Sequence, residues 1–203
     1  MIDGKIKILV SSLIFTFCIL SRGALEKLPL THILIQLSLL ICVGYLLVEE
    51  KSKKIGEGNK INDWNKGGGA SLLIAIFTIA YWMLPRSIDA AISSGTMELL
   101  KFLTVPLLIG VPLKLGWGRA HPILKGFLKA QAISMLGVAA FIYIHAPIRI
   151  CNSYLENAQQ DLGYGFLYTA IALSIIWSAP LFLSQKIKKR TVQSFKGLAY
   201  DDR

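Results

Sequence analysis

Six long apolar runs, separated by short clusters of charged residues, constrain the fold of this chain more than any other feature. A run of about 20 apolar residues is long enough to cross the hydrocarbon core of a bilayer as a helix, which satisfies its own backbone hydrogen bonds there. The sequence therefore predicts an all-α fold, a single polytopic bundle of about six transmembrane helices over residues 1–203. The predicted spans are residues 6–21, 30–48, 69–84, 99–115, 126–146 and 163–184.

Two of these runs have a second interpretation. The first begins with Lys5 and Lys7, as a cleaved signal peptide does, but residues 21–23 are a poor cleavage site. We interpret it as a retained first helix, with a cleaved signal as the alternative. The third run is the shortest, and it can be extended past Pro85 towards Ile92 with a kink at the proline.

The basic residues are divided unequally between the two sides of the predicted bundle. One side holds 17 of them, in the N-terminus as far as Lys7, the loop at about residues 49–68, residues 114–129 around the junction of the fourth and fifth spans, and the tail at about residues 185–203; the opposite side holds 5. The positive-inside rule therefore predicts cytoplasmic termini, with a basic cytoplasmic tail. The polar, glycine-containing loop is expected to be flexible and to lie in the cytoplasm as well. We expect the membrane to be the plasma membrane of the cell. Nucleic-acid binding is not expected, because no aromatic residues are interleaved with the basic run of the tail.

Polar residues gather on the predicted outer side of the membrane. His32 opens the second span, and Gln36 lies one turn further on the same face. Ionisable groups near the membrane core are costly, so we treat them as functional candidates, with solvated interfacial side chains as the structural alternative. His121 falls in a loop on the opposite side. The predicted outer-face cluster consists of Gln36, Asp89, Lys101, His145 and Asp161.

Three residues of the same region are candidate metal ligands. His32, Met83 and Met97 offer imidazole and thioether groups, which are soft enough to hold Cu(I). Lys101 opposes this interpretation, because a nearby ammonium repels a cation. The structural alternative for both methionines is packing. Copper is the only cofactor that the sequence suggests.

Short motifs in this region resemble those of a known family. That family has a helix beginning with His-x-x-x-His, and here His32 holds the first position and Gln36 the second. WMLP at residues 82–85 and IDAA at residues 88–91 resemble its Trp-His-x-Pro segment and the Asp-Ala-Ala-like stretch that follows. A further His-x-x-x-His falls on MELLK at residues 97–101, and DLGYG at residues 161–165 resembles the Gly-rich start of its last helix. Over residues 30–180 the chain thus resembles the CtaG-type cytochrome c oxidase assembly factors.

The resemblance implies a multi-helix membrane protein linked to copper delivery. Of the family's metal histidines only His32 keeps its place, which favours a structural relative that has lost the ligands. We therefore expect a non-catalytic integral membrane accessory or assembly subunit of a larger, copper-containing membrane redox complex. Its expected partners are the other membrane subunits of that complex and the lipid bilayer.

Two other functions stay open at this point. A copper-binding membrane chaperone would use His32, Met83 and Met97 as ligands. A small transporter is the third interpretation, because Pro106 and Pro112 interrupt the fourth span. An enzyme acting alone is not expected, because the sequence carries none of the common hydrolase or phosphate-binding motifs.

Overall fold

The computed structural model describes residues 4–48, 65–146, 154 and 156–201. It is 89% helical, and no strand occurs in the part of the chain that it describes, so the predicted all-α fold is confirmed. Most of the predicted flexible loop, residues 49–64, lies outside the described residues. The helices are α1 Gly4–Leu20, α2 Thr31–Leu47, α3 Gly69–Trp82, α4 Pro85–Ser93, α5 Gly95–Arg119, α6 Pro122–His145 and α7 Glu156–Asp201.

Among the described residues, three helices are long and apolar enough to cross a membrane. They are α5, α6 and the part of α7 that runs from Asn157 to Pro180. The pair α3 and α4 makes a fourth candidate if both are counted as one span, although the two helices meet at an angle of 70°. The predicted kink is therefore confirmed, and its cause is Pro85, which begins α4 and holds the preceding Leu84 in an extended conformation. The count of six spans is not confirmed, because α1 and α2 have only 17 residues each.

Helix α5 is the centre of the larger part of the bundle. It packs against α2 on one side and α3 on the other, and α1 packs against α2. The core between these helices includes the fully buried side chains of Cys18, Leu40, Val105 and Ile109. Helices α6 and α7 form an antiparallel hairpin, and the first turns of α7 bring Leu162 and Phe166 into the same core.

Two glycines allow the backbones of α2 and α5 to touch. A Cβ atom placed on Gly44 would collide with the carbonyl oxygen of Pro106, and one placed on Gly110 would lie 2.7 Å from the Cα atom of Gly44. Small residues at such a crossing permit the close approach on which helix packing in membranes depends. Gly44 and Gly110 thus fix the spacing of the two helices that carry most of the polar side chains described below.

Both of these helices contain a π-helical segment. In α2 the segment Thr31–Gln36 is closed by a hydrogen bond from the Leu37 N–H to the His32 carbonyl. In α5 the segment Val105–Gly110 is closed by a bond from the Val111 N–H to the Pro106 carbonyl. Pro106 and Pro112 have no N–H to donate, so α5 cannot keep a regular α-helical ladder here. Single π-helical turns of this kind are often found at functional sites.

The glycine crossing gives the first testable prediction. We expect Gly44→Ala to destabilise the protein by about 1–3 kcal/mol, because the new methyl group forces two backbones apart. The matched control is Gly137→Ala in α6, where nothing lies within 4 Å of the added Cβ and the change improves helix propensity. Thermal unfolding of both variants in mild detergent is the measurement, and equal unfolding temperatures would contradict a tight α2–α5 contact.

Candidate functional site

The connection between α1 and α2, together with the first turns of α2, supplies three of the polar side chains of the site. Glu26 follows the helical turn Arg22–Leu25, and Pro29 is fully buried three residues later. The Thr31 hydroxyl donates a hydrogen bond of 2.6 Å to the Leu25 carbonyl and so holds the connection against the start of α2. His32 and Gln36 then point into the bundle from the π-helical turn, and both are at most 1% exposed.

Lys101 lies in the second turn of α5 and is the largest fully buried side chain in the described structure, at 1% exposure. Its Nζ atom lies 2.6 Å from Glu26 Oε1, 3.1 Å from His32 Nε2 and 3.1 Å from Gln36 Oε1. An ammonium group has three N–H donors and no acceptor. All three donors of Lys101 are therefore used, one on each of these acceptors.

This arrangement assigns the tautomer of His32. Since Lys101 donates to Nε2, that nitrogen carries the lone pair and the proton lies on Nδ1. Nδ1 is 2.9 Å from the Tyr154 hydroxyl, whose oxygen accepts a hydrogen bond from the Nδ1–H and which itself donates to the backbone carbonyl of Glu26 at 3.0 Å. His32 is thus a neutral imidazole with both ring nitrogens hydrogen-bonded.

Gln36 closes the network. Its side-chain amide accepts from Lys101 and donates to Glu26 Oε1 at 3.2 Å, so the same carboxylate oxygen receives two hydrogen bonds. The network therefore contains one positive and one negative charge. It joins the α1–α2 connection, the first turns of α2, the second turn of α5 and Tyr154, which lies between α6 and α7. We call these five residues, Glu26, His32, Gln36, Lys101 and Tyr154, the lysine network.

A second ion pair lies next to the network but nearer to the surface. Arg22 Nη1 contacts both carboxylate oxygens of Glu98 at 3.0 Å, and the two side chains are 57% and 17% exposed. By contrast, the Lys101 and Glu26 side chains are 1% and 15% exposed. Removing one partner from a buried pair leaves an uncompensated charge, whereas an exposed pair contributes little. The two carboxylates are exposed to a similar degree, so the pairs differ in their cations, of which Lys101 is buried and Arg22 is exposed.

The structure brings together three of the residues that the sequence singles out. His32, Gln36 and Lys101 share one network, and the prediction that His32 and Gln36 lie on one helix face is confirmed. Glu26 and Tyr154 are the two members that sequence reasoning missed. A signal for Glu26 was present, since a lysine in an apolar helix needs an acidic partner and Glu26 is the only acidic residue between positions 4 and 48. Tyr154 gave no comparable signal, because it lies outside the apolar runs.

The remaining predicted residues of the outer-face cluster have other surroundings. Asp89 is partly buried in α4. His145 is exposed at the end of α6, where its Nδ1 lies 3.0 Å from the Phe141 carbonyl and its ring stacks on the Phe141 ring. Asp161 is exposed in α7. His121 caps the start of α6 by accepting a hydrogen bond from the Ile123 N–H.

The arrangement around His32 does not fit a bound copper ion. Its Nε2 lone pair faces the Lys101 ammonium and its Nδ1 proton is held by Tyr154, so a metal would have to displace a buried cation to reach the ring. Met83 is 39% exposed just after α3, and Met97 is partly buried in the first turn of α5. A shared copper site of His32, Met83 and Met97 stays a prediction.

Comparison with family models, curated proteins and solved structures gives no match to this chain. The fold and the site define an all-helical protein with a buried lysine network near one end of its bundle. Its long apolar helices are compatible with a membrane protein.

The two ion pairs give a prediction with an internal control. We expect Lys101→Met to destabilise the protein by about 3–5 kcal/mol, because it removes a fully buried cation on which the Glu26 carboxylate, His32 and Gln36 all depend for a hydrogen bond. Arg22→Met removes the exposed pair and is expected to cost about 0–1 kcal/mol. Thermal unfolding in the same detergent measures both. Similar losses of stability in the two variants would show that the buried Lys101–Glu26 pair stabilises the protein no more than the Arg22–Glu98 pair does.

Proposed function

We propose that this chain is a non-catalytic integral membrane accessory or assembly subunit of a larger membrane redox complex, in the first instance a copper-containing one. The observation that carries the proposal is the contact of the Lys101 ammonium with His32 and Gln36. In the CtaG-type resemblance, positions 32, 36, 97 and 101 correspond to two pairs of histidines. Three of these four positions meet around the Lys101 Nζ atom.

A lysine at this point favours a structural role over metal transfer. The ammonium is held by three acceptors and excludes a second cation from the same place by charge repulsion. Such a chain would keep the helices of an assembly factor, and its own lysine would occupy their polar site. It could then still contact partner subunits, but it would have no open site for copper. The chaperone alternative requires Lys101 to withdraw from His32.

The α6–α7 hairpin offers the surface for such partners. Only Ala140 and Tyr143 are buried in α6, and among the described side chains none is buried in α7 beyond Ala170. Many large apolar side chains on these helices face outwards, including Phe127, Phe141 and Ile175. In a bilayer they contact either lipid or the helices of a neighbouring subunit.

We further propose six spans with both termini in the cytoplasm of the cell, in its plasma membrane. Helices α1 and α2 are each roughly 26 Å long at 1.5 Å per residue, close to the thickness of the hydrocarbon core. The end of the bundle opposite the lysine network carries basic residues, with Lys114 over the Tyr45 ring and Lys129 near Trp117 and Trp177. Basic residues beside aromatic rings are typical of a cytoplasmic membrane interface.

The orientation is tested with a matched pair of cysteines. Gly95 and Gly118 are both exposed, lie near opposite ends of α5 and leave open space for a side chain. In a chain whose three native cysteines are replaced by alanine, we expect an impermeant maleimide to label Gly95→Cys in intact cells. Gly118→Cys should react only after the membrane is permeabilised. The reverse pattern would contradict the proposed orientation. Labelling of both sites in intact cells would show that α5 does not cross the membrane.

The function itself is tested by purification from native membranes in mild detergent. We expect mass spectrometry to identify subunits of a copper oxidase or related redox complex in the same fractions. The copper content of these fractions should not exceed the amount that the copurifying subunits bind. The variant His32→Ala should leave this copper content unchanged.

Two results would contradict this proposal. Near-stoichiometric copper that is lost in His32→Ala would identify a copper chaperone instead. Isolation of the wild-type chain as a stable monomer without partners, after crosslinking in native membranes, would remove the accessory-subunit proposal.

A further inference from the structure

We propose that the Lys101 ammonium is a tethered cation that fills a cation-binding cradle built by Glu26, His32 and Gln36. The cradle is a site for a small primary ammonium ion, which the protein occupies with its own side chain. This inference concerns the lysine network alone and does not depend on the identity of any partner complex.

The geometry around Nζ is that of an ammonium site. Three acceptors of different chemistry, a carboxylate oxygen, an imidazole nitrogen and an amide oxygen, surround Nζ at 2.6 to 3.1 Å. These are ordinary hydrogen-bond lengths for N–H donors. Only one of the three acceptors is charged, so the cradle carries the single negative charge that a monovalent cation needs.

The three acceptors also bond to groups other than Lys101. Gln36 donates to Glu26 Oε1, which links two of the acceptors directly. The third, His32, is oriented from behind by Tyr154, whose hydroxyl donates to the Glu26 carbonyl. Each acceptor therefore has a second hydrogen-bond partner inside the network, and preorganisation of this kind lowers the cost of binding an occupant.

Lys101 reaches the cradle from a different helix. Glu26, His32 and Gln36 belong to the chain between α1 and the first part of α2, whereas Lys101 comes from α5. Truncation at position 101 thus removes the occupant and leaves all three acceptors and Tyr154 intact. The space vacated by the butylammonium side chain lies inside the bundle, since Lys101 is 1% exposed.

The proposal predicts chemical rescue of Lys101→Ala by a free amine. We expect this variant to unfold at a lower temperature than wild type in mild detergent. Methylammonium chloride should raise its unfolding temperature saturably, by roughly 2–4 °C or more at high occupancy. Tetramethylammonium chloride has the same charge but no N–H donor, so it should have no such effect. Wild type should respond to neither salt, because its cradle is filled.

Double variants test which acceptors form the cradle. Glu26→Gln combined with Lys101→Ala removes the charge of the cradle, so the response to methylammonium should be lost. Glu98→Gln combined with Lys101→Ala is the matched control, since Glu98 is a nearby carboxylate that pairs with Arg22. The response should persist in this control.

Each outcome decides for or against the cradle. A folded Lys101→Ala that does not respond to methylammonium, or responds equally to both salts, overturns the proposal. If this variant cannot be recovered folded, its membranes are solubilised with methylammonium or tetramethylammonium present throughout. Recovery of a monodisperse protein with methylammonium alone supports the cradle, and recovery with neither salt or with both overturns it.

Discussion

A lysine ammonium among apolar helices costs several kcal/mol to bury unless a negative charge and further hydrogen bonds meet it there. In this chain Glu26 supplies the charge, and His32 and Gln36 accept the other two hydrogen bonds of the ammonium. Two features of the fold bring these groups together. The α1–α2 connection turns sharply enough to bring Glu26 and His32 together, and the close crossing of α2 and α5 brings Lys101 within their reach.

The two helices that carry His32, Gln36 and Lys101 are both irregular and lie side by side. A π-helical turn at Thr31–Gln36 presents His32 and Gln36 to one atom of α5, and a second one at Val105–Gly110 accommodates the prolines of α5. The glycines Gly44 and Gly110 allow these helices to approach at backbone distance. Proline, π-helical geometry and close glycine packing thus occur together in the two helices that supply His32, Gln36 and Lys101.

Much of this fold follows from the sequence. The alternation of apolar runs and charge clusters predicts an all-helical chain, and Pro85 predicts the break between α3 and α4, because a proline constrains both itself and the residue before it. Lys101 and His32 are recognisable as candidates because they are costly in an apolar helix. The partners are harder to predict. Glu26 and Tyr154 lie in connections, where hydrophobic periodicity gives no information, and their contacts with Lys101 and His32 span 75 and 122 residues.

Those long separations have a consequence for the order in which the protein is assembled. During synthesis the N-terminal helices emerge first. Glu26, His32 and Gln36 are therefore made well before Lys101, and their acceptors stay unfilled until α5 has joined α1 and α2. The His32–Tyr154 bond forms later still, after α6 has been made. The lysine network is thus completed in two steps of synthesis, the first when Lys101 is made and the second when Tyr154 is made, before α7.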